Sequence, residues 1–106
     1  MAVFNKDIFA LSNADTYFRQ EILTNKHSQL VLMSVEPDDD IGEEAHTVDQ
    51  ILVFTVGSGE SVLNRERSAE EANSLVAVPA GTRPSFINTG FEALKLLTMY
   101  APPGEG

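Results

Sequence analysis

Residues 78–90, with the sequence VPAGTRPSFINTG, contain the local signals on which our prediction of the fold depends. Proline, glycine and asparagine favour tight turns, and they cluster at Pro79–Gly81 and again at Asn88–Gly90. Between the two clusters, SFIN at 85–88 has the composition of a short strand. The segment therefore predicts a strand between two turns, with Arg83 and Pro84 at the entrance to the strand.

Segments of the same kind occur on both sides of this stretch. Apolar residues that alternate with polar ones, or short β-branched runs, predict strands. The predicted strands are TYFRQEIL at 16–23, QLVLMSVE at 29–36, ILVFTV at 51–56, ESVL at 60–63, LVAV at 75–78 and ALKLLTMY at 93–100. The first and last would also suit helices by composition, but the last has no coherent apolar stripe.

Turn residues between these segments predict how the strands connect. Gly57-Ser58-Gly59 is expected to make a hairpin between the strand at 51–56 and the strand that follows it. Asn88-Thr89-Gly90 is expected to turn the strand at 85–88 into the one at 93–100. Short strands between turns, without a long helical pattern, predict an all-β antiparallel sandwich or barrel.

The composition of the 106-residue chain limits the kinds of protein it can be. Its length predicts a single domain over residues 1–106, in which 1–15 is an N-terminal arm or short helix and 101–106 is a loose tail. A net charge of −9 makes nucleic acid an unfavourable partner, and no apolar run is long enough to span a membrane. The sequence has no cysteine, which excludes disulfides and thiolate metal sites and fits a cytoplasmic protein.

Strand alternation then indicates which side chains share a face. Gln50, Leu52 and Phe54 have the same parity, and an extended chain would place Glu44 and His46 on their side as well. Pro84, Phe86 and Asn88 share a face of the later strand by the same rule. A few polar groups leading into an apolar wall are typical of a small-molecule pocket.

Two stretches together resemble the sequence motifs of the cupin family of small β-barrels. The first is GEEAHTVDQILVFTVG at 42–57, and the second is NSLVAVPAGTRPSFIN at 73–88. The resemblance implies a jelly-roll barrel, also called a double-stranded β-helix. In the first motif, Glu44 and His46 stand where the family has two histidines, and Gln50 stands where it has glutamate. In the second, Asn73 replaces a glycine and Pro84 replaces a histidine.

The resemblance also implies a metal site, but this sequence lacks part of the family's ligand set. Cupins that hold a metal usually use two or three histidines and a glutamate, a set suited to Mn, Fe, Ni, Zn or Cu. Carried over to this chain, the candidate ligands are Glu44, His46 and Gln50. Gln50 is a weaker donor, and Pro84 has no donor atom, so the metal site is degenerate. A His46 that only hydrogen-bonds to Glu44 or Gln50 is the alternative, with no metal bound.

The sequence therefore predicts a small-molecule-binding cupin of unidentified ligand and leaves open whether a reaction is catalysed. The predicted pocket comprises Glu44, His46, Gln50, Leu52, Phe54, Arg83, Pro84, Phe86 and Asn88. Arg83 could clamp a carboxylate or phosphate, or form an ion pair with a nearby acid.

Two alternative functions remain at this stage. One is a metal-dependent oxygenase or isomerase that uses Glu44, His46 and Gln50, or a metal-free variant in which His46 moves protons. The other is a structural barrel that forms a homodimer, with the segment TYFRQEIL covering the sheet edge of its partner.

Overall fold

The computed structural model describes residues 4–42 and 45–103. One short helix precedes nine strands in this part of the chain. The elements are α1 (Ile8–Ala14), β1 (Gln20–Thr24), β2 (Gln29–Val35), β3 (Asp40–Ile41), β4 (Asp49–Val56), β5 (Ser58–Leu63), β6 (Glu66–Glu71), β7 (Leu75–Val78), β8 (Pro84–Asn88) and β9 (Leu94–Ala101). Across these residues, no helix has both the length and the apolar character needed to cross a membrane.

The strands form two sheets that face each other. One has five strands in the order β1-β2-β9-β4-β7, and the other has four in the order β3-β8-β5-β6. Every strand pair is antiparallel. This arrangement confirms the predicted all-β antiparallel barrel.

The core lies between the two sheets and follows the alternation of the strands. Leu52 and Phe54 of β4 are almost completely buried, as are Leu96 of β9 and Phe86 of β8. The rings of Phe54 and Phe86 meet across the barrel with their centroids 5.9 Å apart. Full burial of a side chain of this size contributes about 1.5–3 kcal/mol, so these residues hold the two sheets together.

The predicted hairpin at Gly57 is wrong, because the chain crosses there from one sheet to the other. β4 pairs with β7 and β9, whereas β5 pairs with β6 and β8. Gly57 has a φ of +88°, and a Cβ built on it would lie 2.8 Å from the carbonyl oxygen of Ala93. Only glycine tolerates both the conformation and the close approach, so the residue marks a corner of the barrel.

The predicted turn at Asn88–Gly90 likewise joins two strands that do not pair with each other. β8 lies in the four-stranded sheet and β9 in the five-stranded one. The side chain of Asn88 holds this corner: its Nδ2 donates to the carbonyl oxygens of Val35 and Glu92, each at 2.8 Å. Its Oδ1 accepts from the amide of Gly90 at 2.8 Å. The turn residues thus carry the chain from one sheet to the other, and the two strands that they join do not pair.

One hairpin of the described residues, between β5 and β6, was not predicted. β5 and β6 pair along their length and are joined by Asn64 and Arg65, with φ of +49° and +70°. Positive φ at both positions is typical of a two-residue type I′ turn, in which Asn-Gly is the favoured pair. The sequence of β6, ERSAEE, is too polar to predict a strand from hydrophobic alternation.

α1 packs against the five-stranded sheet on the side away from the barrel interior. Asp7 caps its N-terminus by accepting from the amide of Ala10 at 3.1 Å. Ser12 Oγ lies 2.6 Å from Thr55 Oγ1, which donates to the carbonyl oxygen of Lys95 at 3.1 Å. These buried hydroxyls fix the helix to β4 and β9.

Candidate functional site

A row of buried side chains crosses one end of the five-stranded sheet. Tyr100 of β9 is the register partner of Gln29 of β2 on one side and of Gln50 of β4 on the other. Gln50 is in turn the partner of Val78 of β7. Directly opposed residues of antiparallel strands share a face, and Gln50 shares its face with the core residue Leu52. The row therefore lines the end of the barrel, and we call it the mouth row.

Two carbonyl oxygens of the mouth row have no hydrogen-bond partner in the described part of the chain. They are Oε1 of Gln29 and Oε1 of Gln50, and Gln50 is only 4% exposed. The amide nitrogen of Gln29 is engaged, since it donates to Glu21 Oε1 at 2.8 Å and to Thr24 Oγ1 at 3.3 Å. A buried polar atom left unpaired costs about 1–3 kcal/mol, so each oxygen is an acceptor that a bound donor would stabilise.

His46 lies beside this row. Its ring packs edge-on against the ring of Tyr100, with centroids 5.3 Å apart and planes inclined by 61°. The carbonyl oxygen of His46 accepts from the amide of Gly81 at 2.8 Å, which ties its segment to the loop before β8. The imidazole is half-buried beside Tyr100, whose register partners are the two glutamines.

The opposite sheet contributes apolar groups to the barrel interior. Pro84 and Phe86 are buried in β8, where their register partners are Leu63 and Ser61 of β5. The ring of Pro84 brings no donor atom to the position where the family motif has a histidine. This wall is the environment that a ligand with a small apolar body requires.

The remaining predicted site residues are spread over the barrel. Leu52 and Phe54 lie in the core, and Arg83 is exposed on the loop before β8. Asn88 lies at the other end of β8, where its side chain holds the corner described above. Glu44 lies outside the described residues.

Among the described residues, the polar side chains that face the barrel interior but were absent from the predicted pocket include Tyr100, Gln29 and Glu70. Tyr100 and Gln29 could have been found by parity, because they lie on the same strand face as the buried residues of 94–98 and 31–35. Glu70 could not, since β6 was not predicted. Its carboxylate is buried and accepts from Ser61 Oγ at 2.7 Å.

The donors near His46 in the described part of the chain do not by themselves form a transition-metal site. Over residues 4–42 and 45–103, no three His, Asp or Glu side chains come close enough together to hold one. The mouth row and His46 supply one imidazole and amide oxygens, whereas such ions are usually held by several imidazole, thiolate or carboxylate ligands.

Comparison with solved structures identifies the fold. The crystal structure of BH2720 from Bacillus halodurans superposes with a TM-score of 0.94 and 31% sequence identity, over 97% of this chain and 83% of that one. A Cupin 2 conserved barrel domain protein from Salinispora arenicola superposes with a TM-score of 0.74 and 20% identity, over 94% of this chain and 87% of that one. The chain has the double-stranded β-helix fold of the cupin barrels. No family model matches this chain.

A relative in sequence has a longer chain. This chain is 42% identical over 94 residues to the uncharacterized protein YrkC of Bacillus subtilis, an alignment that covers 81% of this chain. It spans 50% of the length of YrkC and 61% of the length of a second relative.

Proposed function

We propose that this cupin binds a small polar molecule at the mouth row. The observation that carries the proposal is the unpartnered, buried Oε1 of Gln50. Buried polar side-chain atoms are paired in the large majority of cases, so an orphaned one calls for a partner that is not part of the fold. A hydroxyl or amide group of a ligand would supply the missing donor.

The surrounding side chains indicate the chemical character of the ligand. Gln29 and Gln50 each offer a carbonyl oxygen that has no partner among the described residues, and His46 and Tyr100 contribute two aromatic rings that carry polar atoms. Phe86 and Pro84 provide an apolar wall on the other sheet. This combination suits a compact molecule with hydroxyl or amide donors on one side and carbon on the other.

Binding of this kind requires no metal ion. The metal-dependent oxygenase or isomerase would need Glu44, His46 and Gln50 as its ligands, and the described donors of that set are an imidazole and an amide. The degenerate metal site predicted from the motifs is therefore retained as part of the proposal, with Gln50 acting as a ligand-binding amide.

A screen of small hydroxylated and amide-bearing compounds by thermal shift, followed by calorimetric titration of the hits, tests this proposal. Gln50→Leu should weaken binding at least tenfold, because the amide that contacts the ligand is lost. Gln20→Leu is the matched control, since Gln20 is exposed on β1 and its substitution should leave binding unchanged. Equal affinity of both variants would overturn the proposal.

Metal analysis of untagged protein tests the alternative enzyme. A stoichiometric ion that is retained through purification and lost in His46→Ala would favour the metal-dependent activity over simple binding.

We also propose that the cupin forms a homodimer. Ile51 and Met99 are register partners on the outer face of the five-stranded sheet, and each is 38% exposed. Leu75 is exposed on the neighbouring strand, and Tyr17 and Phe18 are exposed just before the edge strand β1. Apolar side chains grouped on one face of an acidic protein are typical of a protein interface.

A further inference from the structure

A cleft outside the barrel interior brings two loops together. It has a volume of about 420 Å³ and is lined by Val62, Asn64, Arg65, Gly81, Thr82 and Arg83. The β5–β6 turn and the loop before β8 meet here because Leu63 and Pro84 are register partners at the ends of their strands. Val62 alternates with the inward residues Ser61 and Leu63, so the cleft lies on the outer side of the sheet.

The side chains of this cleft are cationic or neutral, although the chain has 16 acidic and 7 basic residues. Arg65 and Arg83 are exposed, and neither makes an ion pair or hydrogen bond with another residue in the described ranges. By contrast, Arg67 pairs with Glu60 at 2.9 Å, and Lys95 Nζ donates to the carbonyl oxygen of Asn13 at 2.6 Å. The cleft therefore concentrates two unpaired guanidinium groups in an acidic protein.

The backbone conformation of Arg65 is one that arginine rarely adopts. Its φ of +70° places it in the left-handed region, at the second position of the two-residue turn. Glycine is the favoured residue at this position, because a side chain makes the conformation less favourable. The conformation of the turn therefore does not explain why residue 65 is an arginine.

We propose that this cleft binds an oxyanion, a carboxylate or phosphate group of a small molecule, with Arg65 and Arg83 as its two cationic contacts. The planar guanidinium group presents paired N–H donors that match the oxygens of carboxylates and phosphates. Asn64 and Thr82 add an amide and a hydroxyl to the same wall. The site is separate from the mouth row and does not depend on ligand binding there.

Titration with inorganic phosphate, followed by NMR of the arginine side-chain Nε–H groups, tests the proposal at constant ionic strength. The signals of Arg65 and Arg83 should shift together and saturate, while that of Arg67 serves as an internal control. Arg65→Gly and Arg83→Gln should each weaken phosphate binding at least fivefold, and Arg65→Gly should melt no lower than the wild type.

Two further variants make the result decisive. Arg67→Gln removes one positive charge on the outer face of the same sheet and should leave phosphate binding unchanged. Gln50→Leu should also leave it unchanged, since the mouth row is a different site. Shifts that rise linearly without saturation, or equal losses in Arg67→Gln, would overturn the proposal. Loss of phosphate binding in Gln50→Leu would overturn the assignment to this cleft.

Discussion

The rings of His46 and Tyr100 meet edge to face, with their centroids 5.3 Å apart. Tyr100 belongs to the central strand β9 and is buried between two glutamines. The contact places the imidazole at the end of the barrel where, among residues 4–42 and 45–103, both amide oxygens lack partners. Aromatic pairs in this geometry contribute about 0.5–1.5 kcal/mol beyond the area that they bury, so Tyr100 helps to orient His46.

Replacement of Gln50 by leucine should stabilise the free protein. Leucine has a similar volume and removes the buried Oε1 that has no partner, so we expect the free energy of unfolding to rise by about 1 kcal/mol. Gln29→Leu is the matched comparison and should lower it by about 1 kcal/mol, because it removes donations to Glu21 and Thr24. Urea unfolding measures both, and a less stable Gln50→Leu variant would contradict the prediction.

Asn88 should be among the most sensitive polar residues of the barrel. Asn88→Ala removes a donor to the carbonyl oxygens of Val35 and Glu92 and an acceptor for the Gly90 amide, and should cost about 3 kcal/mol. Asn88→Asp keeps the acceptor but sets a carboxylate against two carbonyl oxygens. It should therefore be at least as destabilising at neutral pH in thermal unfolding. An aspartate variant as stable as the wild type would show that the amide does not hold the corner.

The hydroxyls of Ser12 and Thr55 should differ in importance. Thr55→Val leaves the fully buried Ser12 hydroxyl without its partner and should lower the free energy of unfolding by about 2 kcal/mol. Ser12→Ala leaves Thr55 donating to the carbonyl oxygen of Lys95 and should cost about 1 kcal/mol. Chemical denaturation of both single variants and the double variant gives the coupling between them. The reverse order would mean that α1 is held to the sheet by other contacts.

Charges on the outer sheet face should separate the proposed homodimer. The double variant Ile51→Lys with Met99→Lys places two positive charges at adjacent register positions, which are unfavourable to bury in an interface. Sedimentation velocity should show dimers for the wild type and monomers for this variant. Phe91→Lys is the control, because Phe91 is fully exposed between β8 and β9 and should not affect association. A monomeric wild type at micromolar concentration would contradict the proposal.

Strand positions were predictable from the sequence where one face of the strand is apolar. β2, β4, β7, β8 and β9 all contain buried residues of alternating or continuous hydrophobicity, and they lie where the sequence placed them. The pattern for β6 carries no such signal, because β6 is a polar strand at the edge of its sheet. Hydrophobic periodicity reports burial, so it does not reveal strands that are held mainly by backbone hydrogen bonds.

The connections and the site were less predictable for a different reason. Gly57 and Asn88–Gly90 have the residues of hairpin turns, yet the strands that they join lie in different sheets. Turn residues fix local backbone angles and do not specify which strands pair afterwards. Gln29 was missed because its importance comes from its register with Tyr100, 71 positions away in sequence. The family motif placed His46 and Gln50 together, and in the structure His46 contacts Tyr100, the register partner of Gln50.

The central position of β9 has a consequence for synthesis. It is the last of the nine strands to be translated, and it separates β2 from β4 in the five-stranded sheet. A nascent chain that ends before Leu94 therefore carries β2 and β4 with edges that no segment of its own can yet cover. Unpaired edges recruit strands from other chains, so neighbouring chains on a polysome are exposed to mispairing until β9 leaves the ribosome.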